Sequence, residues 1–146
     1  MRPFVVVGTI CTIAGGLTAA VSRPTDFGHG PWLAAYLVLV GGVGQIGLGA
    51  GQALLAGGVP SQGIVRVEVT SWNVGLLGVV AGTLVPSPLL TTVGSVATAL
   101  ALTLLVRSAH APGRPVSWMR GIFLALAVTL ILSTPIGVVL AWARHG

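Results

Sequence analysis

Long apolar runs broken by short polar punctuation set the pattern of this chain. Five runs stand out, at residues 4–21, 32–56, 66–85, 89–106 and 116–143. Each has the length and apolar character of a helix able to cross a hydrocarbon layer of about 30 Å, which takes about 20 residues. The second runs 25 residues without a charge. At about 1.5 Å per residue it rises roughly 37 Å, enough to span with some tilt. The punctuation is helix-breaking: SRPTDFGHGP at 22–31, GGVPSQG at 57–63, Pro86-Ser87-Pro88, and RSAHAPGRP at 107–115. Pro31 and Pro88 suit the first turn of the helices they precede, where a missing N–H costs nothing.

This pattern predicts an all-α fold, a polytopic bundle of five transmembrane helices forming one integral membrane domain over residues 1–146. Arg2 before the first run, and Ala19-Ala20-Val21-Ser22 at its end, also fit a signal peptide. The length of the run favours a retained helix.

The second run carries the candidate packing face. Gly41, Gln45, Gly49 and Gln52 follow helical spacing and share one side. Gly47 and Gly51 form a GxxxG pair, as do Gly78 and Gly82 in the third run, where Gly75 extends the small stripe. Glycine costs about 1 kcal/mol in an ordinary helix interior. It persists where backbones approach closely, so helices two and three are expected to pack on each other. Gln45, Gln52 and Asn73 need polar partners away from water. They serve either as interhelical hydrogen-bonding groups or as the lining of a polar path.

Composition narrows the class. Of 146 residues, 54% are hydrophobic and 6% charged, with a net charge of +5. A soluble domain has about 25% charged residues, so a lipid bilayer is the expected surrounding. The arginines lie singly between apolar runs rather than on one basic face, which argues against nucleic acid as partner. That every basic Lys/Arg position is Arg, with abundant Ala, Gly and Val, fits a bacterial source. Alternation of five spans puts Arg2, Arg66, Arg107, Arg114 and Arg120 on one side and Arg23 and Arg144 on the other. The positive-inside bias then predicts a cytoplasmic N-terminus and an external C-terminus in the cell membrane. Trp32 and Tyr36, and Trp118 and Trp142, fit interfacial aromatic belts. Pro135 inside the fifth run predicts a kink.

Candidate chemistry is sparse. Every Arg, Asp, Glu and His falls at a predicted helix end or loop, with Arg66 and Glu68 flanking the start of the third helix. An ionisable group deep in a span would mark function, and this reading finds none. His29 and His145 fall on the same expected side and are weak candidates for a metal. No spacing supports the pair, and no metal or cofactor is expected. The lone Cys11 cannot form an internal disulfide. There is no phosphate loop, CxxC or nucleophile elbow. The expected function is therefore a non-catalytic integral membrane protein, an accessory or assembly subunit of a larger complex, bound to other membrane subunits or to copies of itself. The alternatives are a small oligomeric transporter or channel with a polar path at Gln45, Gln52 and Asn73, and a metal- or haem-dependent membrane enzyme using His29.

Overall fold

The computed structural model describes residues 2–55, 61–109 and 118–145. Their regular structure is all helical, in five helices long and apolar enough to cross a membrane. These are α1 (Arg2–Ser22), α2 (Gly30–Leu55), α3 (Gln62–Leu84), α4 (Pro88–Ser108) and α5 (Trp118–His145). The polar connections at 57–60 and 110–115, with His110 and Arg114, lie outside the described residues.

Local chemistry accounts for the helix ends. Phe27 N–H donates to the Ser22 carbonyl at 3.0 Å and Asp26 N–H to that of Arg23 at 3.2 Å. This bond pair closes a helix through a left-handed residue, here Asp26 at φ 51°. Pro31 occupies the first turn of α2. Ser61 caps α3, its hydroxyl accepting from Ile64 N–H, and Ser87 caps α4 by accepting from Leu90 N–H ahead of Pro88. Helix α5 runs as one element through Pro135. The Ser133 and Thr134 hydroxyls both donate to the Leu130 carbonyl one turn earlier.

The residues that are buried and those that are exposed invert the usual soluble pattern. Large apolar side chains lie bare: Leu17, Leu77, Val93, Leu132 and Val139 are each more than 60% exposed. Small and polar side chains fill the seams, among them Gln45, Gln52, Glu68, Thr91, Ser95 and Thr98. Scattered exposed leucines need no explanation, but continuous apolar helix faces do. Such faces are compatible with a multi-pass membrane protein.

The chain divides into two compact units, residues 1–47 and 48–146, with the boundary inside α2. In the first unit α1 packs along the N-terminal part of α2. The α1 face is spaced as Phe4, Gly8, Cys11, Gly15 and Ser22, at steps of three, four and seven residues that keep one side of a helix. A Cβ on Gly15 would stand 2.9 Å from the Ala34 carbonyl oxygen, so bare backbones meet there. A Cβ on Gly16, the next residue, would meet nothing within 4 Å. Along this seam α2 widens into a π-helix over Leu37–Gly44, a departure the helical spacing did not anticipate. Gly41, Gly42 and Gly44 are all buried there and bring no side chain into the seam. A π segment interrupts the 3.6-residue period, so spacing alone no longer sets the face of α2 before Gln45.

In the second unit the closest pairing is α3 with α4. A Cβ on Gly78 would lie 2.8 Å from Gly94 Cα, and one on Gly75 would lie 2.7 Å from Thr98 N. Gly82 meets Thr91. This corrects the expectation that the glycines of the second and third spans pack on each other. The stripe Gly75, Gly78 and Gly82 serves the α3–α4 hairpin, and Gly51 instead receives the ring of Phe123 from α5. The physical reason is proximity along the chain. A tight Pro-Ser-Pro turn holds α3 and α4 antiparallel, so their small faces meet first.

Candidate functional site

Ser61 is the residue that sets the site. By capping at Ser61, α3 begins at Gln62, four residues earlier than the apolar pattern indicated. Glu68 thereby moves from the start of the helix to its seventh position. It falls on the buried stripe with Val65, Trp72 and Leu76, at helical spacing. Its relative exposure is 0%. This corrects the expectation that every ionisable residue sits at a helix end or in a loop.

Among the described residues, two neutral side chains hold the carboxylate. Gln52 Nε2, from α2, donates to it with 2.8 Å to Oε2 and 3.0 Å to Oε1. Ser108 Oγ, the last residue of α4, lies 2.6 Å from Glu68 Oε1 and 2.6 Å from Gln52 Nε2. Three hydrogens are available, two on the amide and one on the hydroxyl. They close a ring in which Gln52 donates to Glu68 Oε2 and to Ser108 Oγ, and Ser108 donates to Glu68 Oε1. The hydroxyl also has the Leu104 carbonyl at 2.8 Å as a competing acceptor. All three residues belong to the second unit.

The ring leaves polar atoms unused. Gln52 Oε1 is buried with no hydrogen-bond partner among the described residues, and so is Trp72 Nε1, one turn beyond Glu68. Trp72 is itself fully buried. An unsatisfied buried polar group costs about 1–3 kcal/mol, so the unpartnered Gln52 Oε1, on the amide that holds the carboxylate, calls for a physical role. The carboxylate also sits at the C-terminal end of α4, where the helix dipole is negative and disfavours an anion.

The other singled-out positions separate. Gln45 is fully buried, and neither of its amide atoms has a partner among the described residues. Gly41 and Gly49 are buried and Gly47 is exposed. Asn73 is half-buried, and its amide donates to the Val69 carbonyl of its own helix at 2.8 Å. It therefore joins no second helix through that bond. His29 is exposed, with its ring 6.3 Å from that of Phe27, and the side chain of His145 lies outside the described part. No group of three or more His, Cys, Asp or Glu able to hold a metal occurs among the described residues.

Sequence reasoning missed Glu68 and Ser108. Two signals were present: Ser61 as a helix cap after Pro60, and Glu68 in register with Val65, Trp72 and Leu76. No family model, curated protein or solved structure matches this chain.

Proposed function

We propose that this chain is a multi-pass protein of the cell membrane, crossing it five times with a cytoplasmic N-terminus and an external C-terminus, and that it is a small cation transporter centred on Glu68. The observation that carries the reading is the burial of Glu68, held among the described residues by Gln52 and Ser108, in a helix long and apolar enough to cross a membrane. A carboxylate in such a helix is costly to keep and marks an ion or substrate path in the general case. The accessory-subunit expectation drew its main support from the absence of any such group, and that support is gone. The polar path moves from the expected Gln45, Gln52 and Asn73 to Gln52, Glu68 and Ser108. Because this cluster lies within one chain, a binding site inside the protomer fits better than a pore between copies.

The test is flux. Purified protein in liposomes, under imposed sodium, potassium or proton gradients, is followed by tracer uptake and a potential-sensitive dye. Wild type is expected to pass a cation that protein-free liposomes retain, and Glu68→Gln is expected to abolish this with an unchanged elution profile. Wild-type liposomes as tight as protein-free ones would overturn the reading.

A second reading, an accessory or assembly subunit, is favoured by α5. This helix buries Phe123 and Ala127 but leaves Ile122, Leu132, Ile136 and Val139 bare. A neighbouring membrane helix covers such a face as well as lipid does. Gentle purification from native membrane, with stoichiometric unrelated chains recovered, would favour it over transport.

A further inference from the structure

The geometry points to a binding site for a sodium-sized monovalent cation at Glu68, Gln52 and Ser108, with the Gln52 amide standing in for the ion when the site is empty of it. This deepens the transport reading and rests on it for its physiological meaning, but the binding chemistry stands on the cluster itself.

The donor set is the first argument. Glu68 offers two carboxylate oxygens and Ser108 a hydroxyl oxygen, with the Leu104 carbonyl 2.8 Å from that hydroxyl. Gln52 contributes an amide oxygen, Oε1, that is buried and unpartnered. These are hard oxygen ligands, suited to alkali and alkaline-earth ions rather than to soft metals. Sodium sites in membrane proteins use backbone carbonyls and the C-terminal ends of helices, and Ser108 ends α4.

The orphaned oxygen is the second argument. Nε2 of Gln52 faces the carboxylate at 2.8 and 3.0 Å and leaves Oε1 with nothing to accept. A half-turn about the terminal bond exchanges the two atoms, because the amide is nearly symmetric in shape. With a cation beside Glu68, the turned amide directs Oε1 at the ion; the oxygen gains a partner and the amide hydrogens give up theirs on Glu68 and Ser108, a cost that the ion's charge on the carboxylate must outweigh. The amide hydrogens thus neutralise the carboxylate in one state, and the cation does so in the other.

Charge and size select the ion. One carboxylate balances one positive charge; a divalent ion would leave an excess charge in a buried site, which is expensive. The polar atoms stand only 2.6–3.0 Å apart, so a small ion fits with less displacement than potassium. Ser108 is half-buried, the least enclosed of the three residues.

The experiment is thermal unfolding of the full chain in detergent, titrated with sodium chloride at ionic strength held constant by choline chloride. Binding to the folded state raises the midpoint with ion concentration. Sodium is expected to raise the midpoint of wild type by several degrees and potassium by less. Glu68→Gln is expected to remove the sodium response, and Ser108→Ala to move its half-point to at least tenfold higher sodium. If Glu68→Gln does not fold, Ser108→Ala and equilibrium dialysis of wild type with radioactive sodium, expected to give one ion per chain, decide. Identical midpoints in sodium and choline, an equal response to potassium, or an undiminished response in Ser108→Ala would each overturn the site. Sodium binding without flux would sink transport and leave the site standing; flux without sodium binding would do the reverse.

Discussion

Gly94→Ala tests the close backbone seam between α3 and α4. A methyl at this position would lie 2.5 Å from Val79 N, 2.7 Å from Gly78 C and 2.8 Å from the Gly75 carbonyl oxygen. All three atoms are backbone, so no rotamer change relieves the clash. Ordinary contact begins at 3.4 Å, so α3 and α4 must separate by about 0.9 Å near Gly94. A gap of 0.5–1 Å forfeits about a quarter to a half of the dispersion well of each atom pair it opens. Overpacking of this kind costs about 1–3 kcal/mol. Against it stands the helix propensity gained on replacing glycine with alanine, about 1 kcal/mol. The net expectation is a destabilisation of up to about 2 kcal/mol. Gly121→Ala is the matched control, since nothing lies within 4 Å of its added methyl; it is expected to be neutral or stabilising by up to about 1 kcal/mol. The assay is reversible unfolding of both variants in the same mixed micelles, followed by near-ultraviolet circular dichroism. Should Gly94→Ala prove as stable as Gly121→Ala, the close backbone contact of α3 with α4 would be refuted.

Three further outcomes follow from the cluster and its surroundings. Gln52→Leu removes a donor from a buried carboxylate and is expected to cost about 1.5–3 kcal/mol in the same unfolding assay. Adding Glu68→Leu should recover most of that loss, because removing both partners leaves no orphan; a double variant less stable than Gln52→Leu would contradict the hydrogen-bond geometry. Asn73→Leu is expected to change stability by less than about 0.6 kcal/mol, the average for a polar contact within membranes, and to leave cation flux intact. A large loss of either would mean that Asn73 bonds more than the Val69 carbonyl. Cys11, buried on the inner face of α1, should resist a maleimide in the folded protein and react on unfolding, and rapid labelling under native conditions would contradict the packing of that face.

Much of this molecule is legible in its sequence because the relevant physics is local. Helix length and apolar character belong to each run by itself, and they predicted five apolar helices within a few residues of those observed. Pro31 and Pro88 open helices as their fixed backbone angle and missing N–H require. The burial of Gln45 and Gln52 also follows from an apolar run that leaves amides no water.

What the tertiary structure decided is which surfaces meet. Glycine stripes announce close approach without naming a partner, so Gly78 and Gly82 could not be assigned to Gly94 and Thr91 by spacing alone. The Pro86–Pro88 turn made that choice by holding α3 against α4. The π segment in α2 lies where that helix packs on α1, and no period within α2 announced it. Glu68 is the sharpest case. Its chemistry invites water, and with α3 begun at Arg66 it had water. The cap at Ser61 extends the helix by four residues and sets Glu68 in its seventh position, on the face it shares with Trp72 and Leu76, where Gln52 and Ser108, 16 and 40 residues distant in the chain, supply the hydrogen bonds that make its burial tolerable.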